Sequence, residues 1–207
     1  MPKAKTSTRV FAIVPAAGRS RRMGRDKQLL DVGGQSMLSG VLDVLERSRV
    51  CSVTLVTHSG ITAHIETNRF AKLSVVINDD EQSHMIDSVR MGIDAACHGR
   101  VGRELAPSDG FLILPADQPG IGMADIDRCI AEFLADTTRI VIATHGERRG
   151  HPLIFPASLE PFVRSDACDG GLNALPRTHA DRVVTVPCGS PGVIRDIDTP
   201  DDYKKLA

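Results

Sequence analysis

The chain has 207 residues, 25 of them Lys or Arg and 26 Asp or Glu, for a formal net charge of −1 at pH 7. So even a balance excludes the overall basic surplus with which proteins meet nucleic acid or an anionic membrane, and points to small-molecule partners. Five cysteines (Cys51, Cys97, Cys129, Cys168 and Cys188) are scattered without a Cys-x-x-Cys pair. They read as reduced, buried thiols of a cytoplasmic protein, and their spacing suits neither a disulfide framework nor a zinc site.

Residues 1–9 are polar and aperiodic and are expected to form a disordered tail ahead of one domain over 10–207. The basic N-terminus leads into only about seven apolar residues, too few for a signal-peptide core or a membrane span. Next come VFAIVPA (10–16), SVTLVT (52–57), LSVVI (73–77), GFLILPA (110–116) and RIVIAT (139–144). Their continuous apolar character and β-branched content predict strands covered on both faces. Helical patterns lie between them at 36–48, 60–69, 84–98 and 123–135, the last placing Ile126, Ile130, Phe133 and Leu134 on one face. This alternation predicts an α/β fold, a three-layer α/β/α sandwich around a mostly parallel, Rossmann-like sheet. Beyond residue 145 the pattern changes. HGERRGHPLIFP (145–156) reads as a turn and a strand suited to antiparallel pairing, and RVVTV (182–186) as a further strand. In the closing helix Thr199 stands at the N-cap, Pro200 at the first helical position and Asp202 at the third, a capping-box arrangement.

The first loop carries the strongest chemical signal. In VPAAGRSRRMGRDKQLL (14–30), Arg19, Arg21, Arg22, Arg25 and Lys27 crowd beside Gly18 at the end of the first strand. Open α/β sheets collect ligands beyond the carboxyl ends of their strands. Gly18 lets a phosphate approach the main chain, neighbouring amides can donate to it, and Arg22 and Lys27 can neutralise its charge as fork and point charge. A P-loop does not fit, because five residues separate Gly18 from Gly24 and Arg25 follows; GxGxxG is absent as well. The bland alternative is a solvated basic loop, and the position favours an anion site.

The same stretch resembles the signature (L/P)AAGxSxRMGxxKxLL of the MobA-like nucleotidyltransferases, with Ala16, Ala17, Gly18, Arg22, Met23, Gly24, Lys27, Leu29 and Leu30 matching. Within that family it is most similar to the molybdenum cofactor cytidylyltransferases, since guanylyl-transferring relatives typically have Gly-Gly in place of Ala16-Ala17. The resemblance implies a sheet of the nucleotide-diphospho-sugar transferase type. It also implies a nucleoside triphosphate, CTP, held by Ala16, Ala17, Gly18, Arg19, Arg22 and Lys27, with Arg22 and Lys27 catalytic through charge stabilisation.

Nucleotidyl transfer calls for Mg²⁺, with Mn²⁺ as a substitute, and Mg²⁺ takes one or two carboxylates plus phosphate oxygens. Asp117 in FLILPADQPGI ends a predicted strand, and on position alone it could equally be a turn aspartate. The family's "DQP" implies that it binds metal, touches the nucleotide and acts in catalysis. In VIRDIDTPDDY, Asp196 and Asp198 share one side of an extended segment. The similarity to a "DIDTPEDL" ending implies Asp198 as the second ligand, ahead of Asp196.

INDDEQSHMIDSVRMGI (77–93) resembles the family's base-side segment at Asn78, Met85, Ser88, Arg90 and Gly92, which implies that Asn78 and Ser88 bind the nucleotide. It departs at His84, Ile86 and Asp87, where relatives have small residues. ERRGHPLIFP (147–156) resembles "GxxGHPvlf", implying that Gly150 and His151 border the acceptor. DACDGGLNAL (166–175) matches an acceptor loop only at Asp169 and Gly171. The implied reaction moves CMP from CTP to a phosphorylated acceptor, the molybdenum cofactor (molybdopterin), and releases pyrophosphate; a molybdenum enzyme would receive the product. A sugar phosphate or other phosphorylated acceptor is one alternative. A non-catalytic, nucleotide-binding maturation partner of a molybdenum enzyme is another.

Overall fold

A computed structural model describes residues 7–20, 24–98, 104–197 and 199–204. Of the residues singled out above, the tail up to Thr6 and Arg21, Arg22, Met23 and Asp198 lie outside them.

The strands are β1 (Val10–Ala16), β2 (Asp31–Val32), β3 (Gln35–Ser36), β4 (Ser52–Thr57), β5 (Leu73–Ile77), β6 (Gly110–Ile113), β7 (Ile140–His145), β8 (Arg148–Pro156) and β9 (Val183–Pro187). The helices are α1 (Met37–Arg47), α2 (Ser59–Thr62), α3 (Met85–His98), α4 (Met123–Ala135), α5 (Glu160–Arg164), α6 (Ala174–Thr178) and α7 (Pro200–Lys204). Seven strands form one sheet in the order β5-β4-β1-β6-β8-β7-β9. Pairing is parallel between β1 and β4, β1 and β6, β4 and β5, and β7 and β9. Strand β8 runs antiparallel to both of its neighbours, β6 and β7, as the change of pattern after residue 145 suggests. No described helix is long and apolar enough to cross a membrane.

Alternation along β1 sends side chains to opposite layers. Val10, Ala12 and Val14 pack with Leu38, Val41, Leu42 and Leu45 of α1 and with Ile126, Ile130 and Phe133 of α4. Phe11 and Ile13 enter a second cluster with Ile86, Val89 and Ile93 of α3, Val163 of α5 and Leu175 of α6. The sheet is therefore covered on both faces, which is why its central strands read as unbroken apolar runs. Chain order along the sheet reverses at β1, with β4 on one side and β6 on the other, so a crevice opens beyond the carboxyl ends of β1 and β6.

Three local features depart from the sequence pattern or refine it. The 60–69 segment is not one helix: α2 ends at Thr62 and a 3₁₀ turn follows at Thr67–Arg69. Gly60 and the β-branched Ile61, Thr62, Ile65 and Thr67 give this stretch little helix propensity. Arg9 belongs to the folded structure, not to the tail. Its main-chain N–H donates to Asp109 Oδ1 at 2.8 Å, its guanidinium meets Oδ2 at 2.7 Å, and it lies 4.9 Å from the Phe11 ring centroid. A small hairpin, β2–β3, turns through Gly33 and Gly34, both at positive φ, and delivers Ser36 as the N-cap of α1. At the other end of the chain the capping box forms. Thr199 and Asp202 exchange hydrogen bonds, Thr199 Oγ1 to Asp202 Oδ2 at 2.6 Å and Asp202 N to Thr199 Oγ1 at 3.2 Å.

Candidate active site

The loop after β1 is shaped from beneath by Gln28. This side chain is almost fully buried (3% exposed) and donates to the carbonyls of Ala16 and Gly18 at 2.9 and 2.8 Å. Ser20, the one described non-glycine residue with positive φ (46°), accepts from the Lys27 amide at 3.2 Å and donates to Gln28 Oε1 at 3.3 Å. Behind the loop, buried His58 at the end of β4 meets Asp26 Oδ1 through Nε2 at 3.2 Å. These contacts hold the backbone that presents Gly18 and Lys27 at the crevice.

Lys27 reaches across to the end of β6. Its Nζ lies 2.7 Å from Asp117 Oδ2, and both side chains keep partial exposure at 15% and 20%. A cavity of about 450 Å³ surrounds this pair, lined from β1 and its loop by Ala16, Ala17, Gly18 and Ser20, and from the start of α3 by His84, Met85 and Ser88. Such a volume suits a nucleotide-sized ligand. Asn78 does not line it. Instead its Nδ2 donates to Ser83 and Ser88 Oγ at 2.8 and 3.2 Å, fixing two hydroxyls that do. Arg19 turns toward the 79–81 loop, 3.4 Å from the Asp79 carbonyl and 3.8 Å from Glu81, and is not among the lining residues.

Two of the three departures at the start of α3 have structural explanations. Ile86 is a core residue, and the Asp87 carboxylate accepts from the His84 amide at 2.8 Å. Only His84 borders the cavity. Two motif matches also converge: Arg90 binds Asp169 at 2.8 Å and the carbonyls of Val163 and Ser165, fastening the 163–169 segment to α3.

Gly150 and His151 border a second cavity of about 290 Å³. A Cβ on Gly150 would fall 1.7 Å from the Val193 carbonyl oxygen, so close backbone packing requires glycine here. His151 Nδ1 accepts from Gln118 Nε2 at 3.0 Å, which places the proton of the neutral ring on Nε2. Burial pushes this imidazole below its ordinary range, against the opposing pull of the Asp117 and Asp196 carboxylates. Gln118 is itself buried, and its Oε1 takes no hydrogen bond from a described residue.

For a divalent cation the described residues offer Asp117 at the cavity mouth, with Oδ2 shared with Lys27. They contain no cluster of three or more His, Cys, Asp or Glu. That donor set fits Mg²⁺ or Mn²⁺ completed by phosphate oxygens, and among the described residues it excludes a thiolate or imidazole cage. The Ile197 amide donates to the Asp117 carbonyl at 3.1 Å, so the segment carrying Asp196 returns beside the β6 end. Arg22 and Asp198, assigned to phosphate and metal by resemblance, lie outside the described residues. Sequence reasoning missed Ser20, Asp26, Gln28, His58 and Gln118. Of these, Ser20 stands at the serine of the first-loop signature, Gln118 lies within DQP and Gln28 directly follows Lys27; those were the available signals.

With this geometry in view, the MobA-like NTP transferase domain matches residues 12–188. Nicotine blue oxidoreductase of Paenarthrobacter nicotinovorans is 26% identical, covering 95% of this chain and 96% of that protein. Molybdenum cofactor guanylyltransferase of Shewanella woodyi is 26% identical over 97% of each. Among solved structures, Rv0371c from Mycobacterium tuberculosis superposes with a TM-score of 0.75 at 26% identity, covering 97% of this chain and 98% of that one. A manganese complex of the same mycobacterial protein gives 0.71 at 24%, covering 96% and 98%.

Proposed function

The chain belongs to the MobA-like NTP transferase family and is a nucleotidyltransferase, and from that premise we propose that it moves CMP from CTP to the phosphate of a pterin-type acceptor, the molybdenum cofactor. The observation that carries this reading is the Lys27–Asp117 pair, 2.7 Å apart where the ends of β1 and β6 meet, inside a cavity walled by the signature loop. One relative is named an oxidoreductase, so the fold does not by itself fix the chemistry. A lysine and a carboxylate converging beside a glycine loop favour phosphates.

In the proposed reaction an oxygen of the acceptor phosphate attacks the α-phosphorus of CTP in line. The new P–O bond forms as the bond to the bridging oxygen of the β-phosphate breaks, and pyrophosphate leaves with the electron pair. Main-chain amides at Ala16, Ala17 and Gly18 would hold the triphosphate, and Lys27, assisted by Arg22 and Arg19, would neutralise charge on the departing oxygens. Asp117 and Asp198 would hold Mg²⁺ or Mn²⁺, which supplies Lewis-acid polarisation of the phosphates when bound. Ser88, oriented by Asn78, would meet the base. Gly150 and His151 would border the acceptor, and the dinucleotide product would pass to a molybdenum enzyme.

Ala16-Ala17 supports CTP, whereas the guanylyltransferase names of several relatives make GTP the competing base. The test is pyrophosphate release by the purified protein with molybdenum cofactor, comparing CTP and GTP with Mg²⁺ or Mn²⁺. Release with CTP at least tenfold above GTP is expected. Release with GTP alone would overturn the base assignment, and release only with a sugar phosphate as acceptor would overturn the acceptor. Nucleotide binding without any release would leave the chain a maturation partner.

A further inference from the structure

The smaller cavity holds charge that the transfer reaction itself does not use. Arg149 from β8 and Arg177 from α6 both line it, with Asn173 beside them, over a floor that includes Ile142 and Leu153. Neither guanidinium forms an ion pair or hydrogen bond with a described residue, and no Asp or Glu lines the cavity. Both residues are exposed, and what sets them apart from other arginines without a described carboxylate partner, such as Arg148 and Arg195, is that they converge on one hollow. Two cations facing a partly apolar hollow are complementary to an anionic group on a flat or apolar body.

The hollow is also placed to serve the larger site. Period-two alternation puts Arg149, His151 and Leu153 on one face of β8. Leu153 pairs with Ile113 of antiparallel β6, so the residues preceding Leu153 run toward the same sheet end as those following Ile113. Asp117 lies four residues past Ile113 and Arg149 four residues before Leu153. His151 bridges the two hollows: it lines the smaller one and hydrogen-bonds Gln118, the neighbour of Asp117. A molecule reaching Asp117 from this side would leave its far end between the arginines.

We propose that the smaller cavity is the distal subsite for the acceptor, in which Arg149 and Arg177 select a molecule bearing a second anionic group on a flat ring body. The proposal rests on the transferase reading for which end of the acceptor reacts; the anion subsite itself rests on the cavity and on two guanidiniums that no described carboxylate neutralises. About 290 Å³ accommodates a bicyclic ring, at the lower edge of the usual size range for ligand pockets.

The probe is pterin-6-carboxylate, followed by its fluorescence anisotropy, with unsubstituted pterin as the anion-free control. The chain has no Trp and a single Tyr, so protein emission interferes little. Saturable binding is expected for the wild type. It should weaken about tenfold or more in Arg177→Gln and in Arg149→Gln, and by a similar factor for unsubstituted pterin, since each removes a charge-assisted hydrogen bond. CTP affinity, measured by calorimetry on the same samples, should hold in both variants and doubles as the control for folding. Absence of saturable probe binding, wild-type affinity in both variants, or equal affinity for the anion-free pterin would overturn the proposal. If the wild type binds the probe but neither CTP nor GTP, the subsite stands and the transferase reading falls. If it binds nucleotide but not the probe, the transferase reading stands and the subsite falls.

Discussion

At the scale of single residues, the Lys27–Asp117 contact joins the two halves of the site, because each partner meets a different part of the proposed complex. In that complex Lys27 would be the cation next to the phosphates and Asp117 the carboxylate next to the metal. Replacing Lys27 by Met is therefore expected to reduce kcat/KM by about a hundredfold or more, the usual cost of losing a donor aimed at developing phosphate charge. Steady-state pyrophosphate release measures it, and a change below about threefold would remove Lys27 from the chemistry. A second ion pair governs stability instead. Asp109 is fully buried, and although burial raises its pKa, hydrogen bonds from the Arg9 guanidinium and from the Ala106 and Arg9 amides outweigh it and leave the pKa below the ordinary 3.8. A carboxylate held lower in the folded state contributes stability that is complete above the unfolded pKa and is lost as pH falls through the folded one. Urea unfolding should thus show stability dropping as pH falls below about 4, the ordinary carboxylate range. In Asp109→Asn this acid-limb drop should be shallower and the protein less stable at neutral pH; an unchanged slope would refute the assignment.

Among elements, glycines separate structural from functional constraint. Gly192 lies against Gly120, and a Cβ there would stand 2.0 Å from the Gly120 carbonyl carbon, backbone against backbone. Gly192→Ala is expected to destabilise by about 1–3 kcal/mol or more, read as a lower denaturant midpoint. Gly18 is exposed, and a Cβ added to it would meet nothing within 4 Å. Gly18→Ala should leave the midpoint unchanged while weakening nucleotide binding, because the added methyl would occupy the proposed approach of a phosphate. Equal affinity for both proteins would place the phosphates elsewhere. The sequence was most readable where one local force dominates. The limits of β1, β4 and β5, the antiparallel β8 and the Thr199–Asp202 cap follow from apolar runs and capping chemistry. It was least readable where distant groups decide: Arg9 is ordered by a carboxylate 100 positions away, and Gln28 is fixed by carbonyls at and beyond the end of the preceding strand. The two-residue strands β2 and β3 are too short to show a period, although Gly33-Gly34 marks their turn. In the candidate site, the cavity-lining Ala16, Ala17, Gly18, Lys27, Ser88 and Asp117 were legible through the motifs, whereas His58, which braces the first loop from behind, carries no pattern of its own.

For the whole molecule, the reversal of strand order at β1 explains why residues from 15–28 and 115–117, far apart in sequence, share one cavity. The 190–197 segment then returns to the same place through Gly192 against Gly120 and the Ile197 amide on Asp117. Because β8 reverses direction beside β6, its charged beginning rises at this same end of the sheet and adds a second hollow next to the first. One sheet end would thereby gather a nucleotide's phosphates and a divalent cation around Lys27 and Asp117, and the rest of the proposed chemistry depends on that gathering. The decisive experiment is calorimetric titration of CTP and GTP, with and without Mg²⁺, into the native chain and Asp117→Asn. Nucleotide binding is expected to strengthen with Mg²⁺ in the native chain and to lose that dependence in the variant. Binding equally Mg²⁺-dependent in both proteins, or no binding of either nucleotide, would contradict this placement of phosphates and metal.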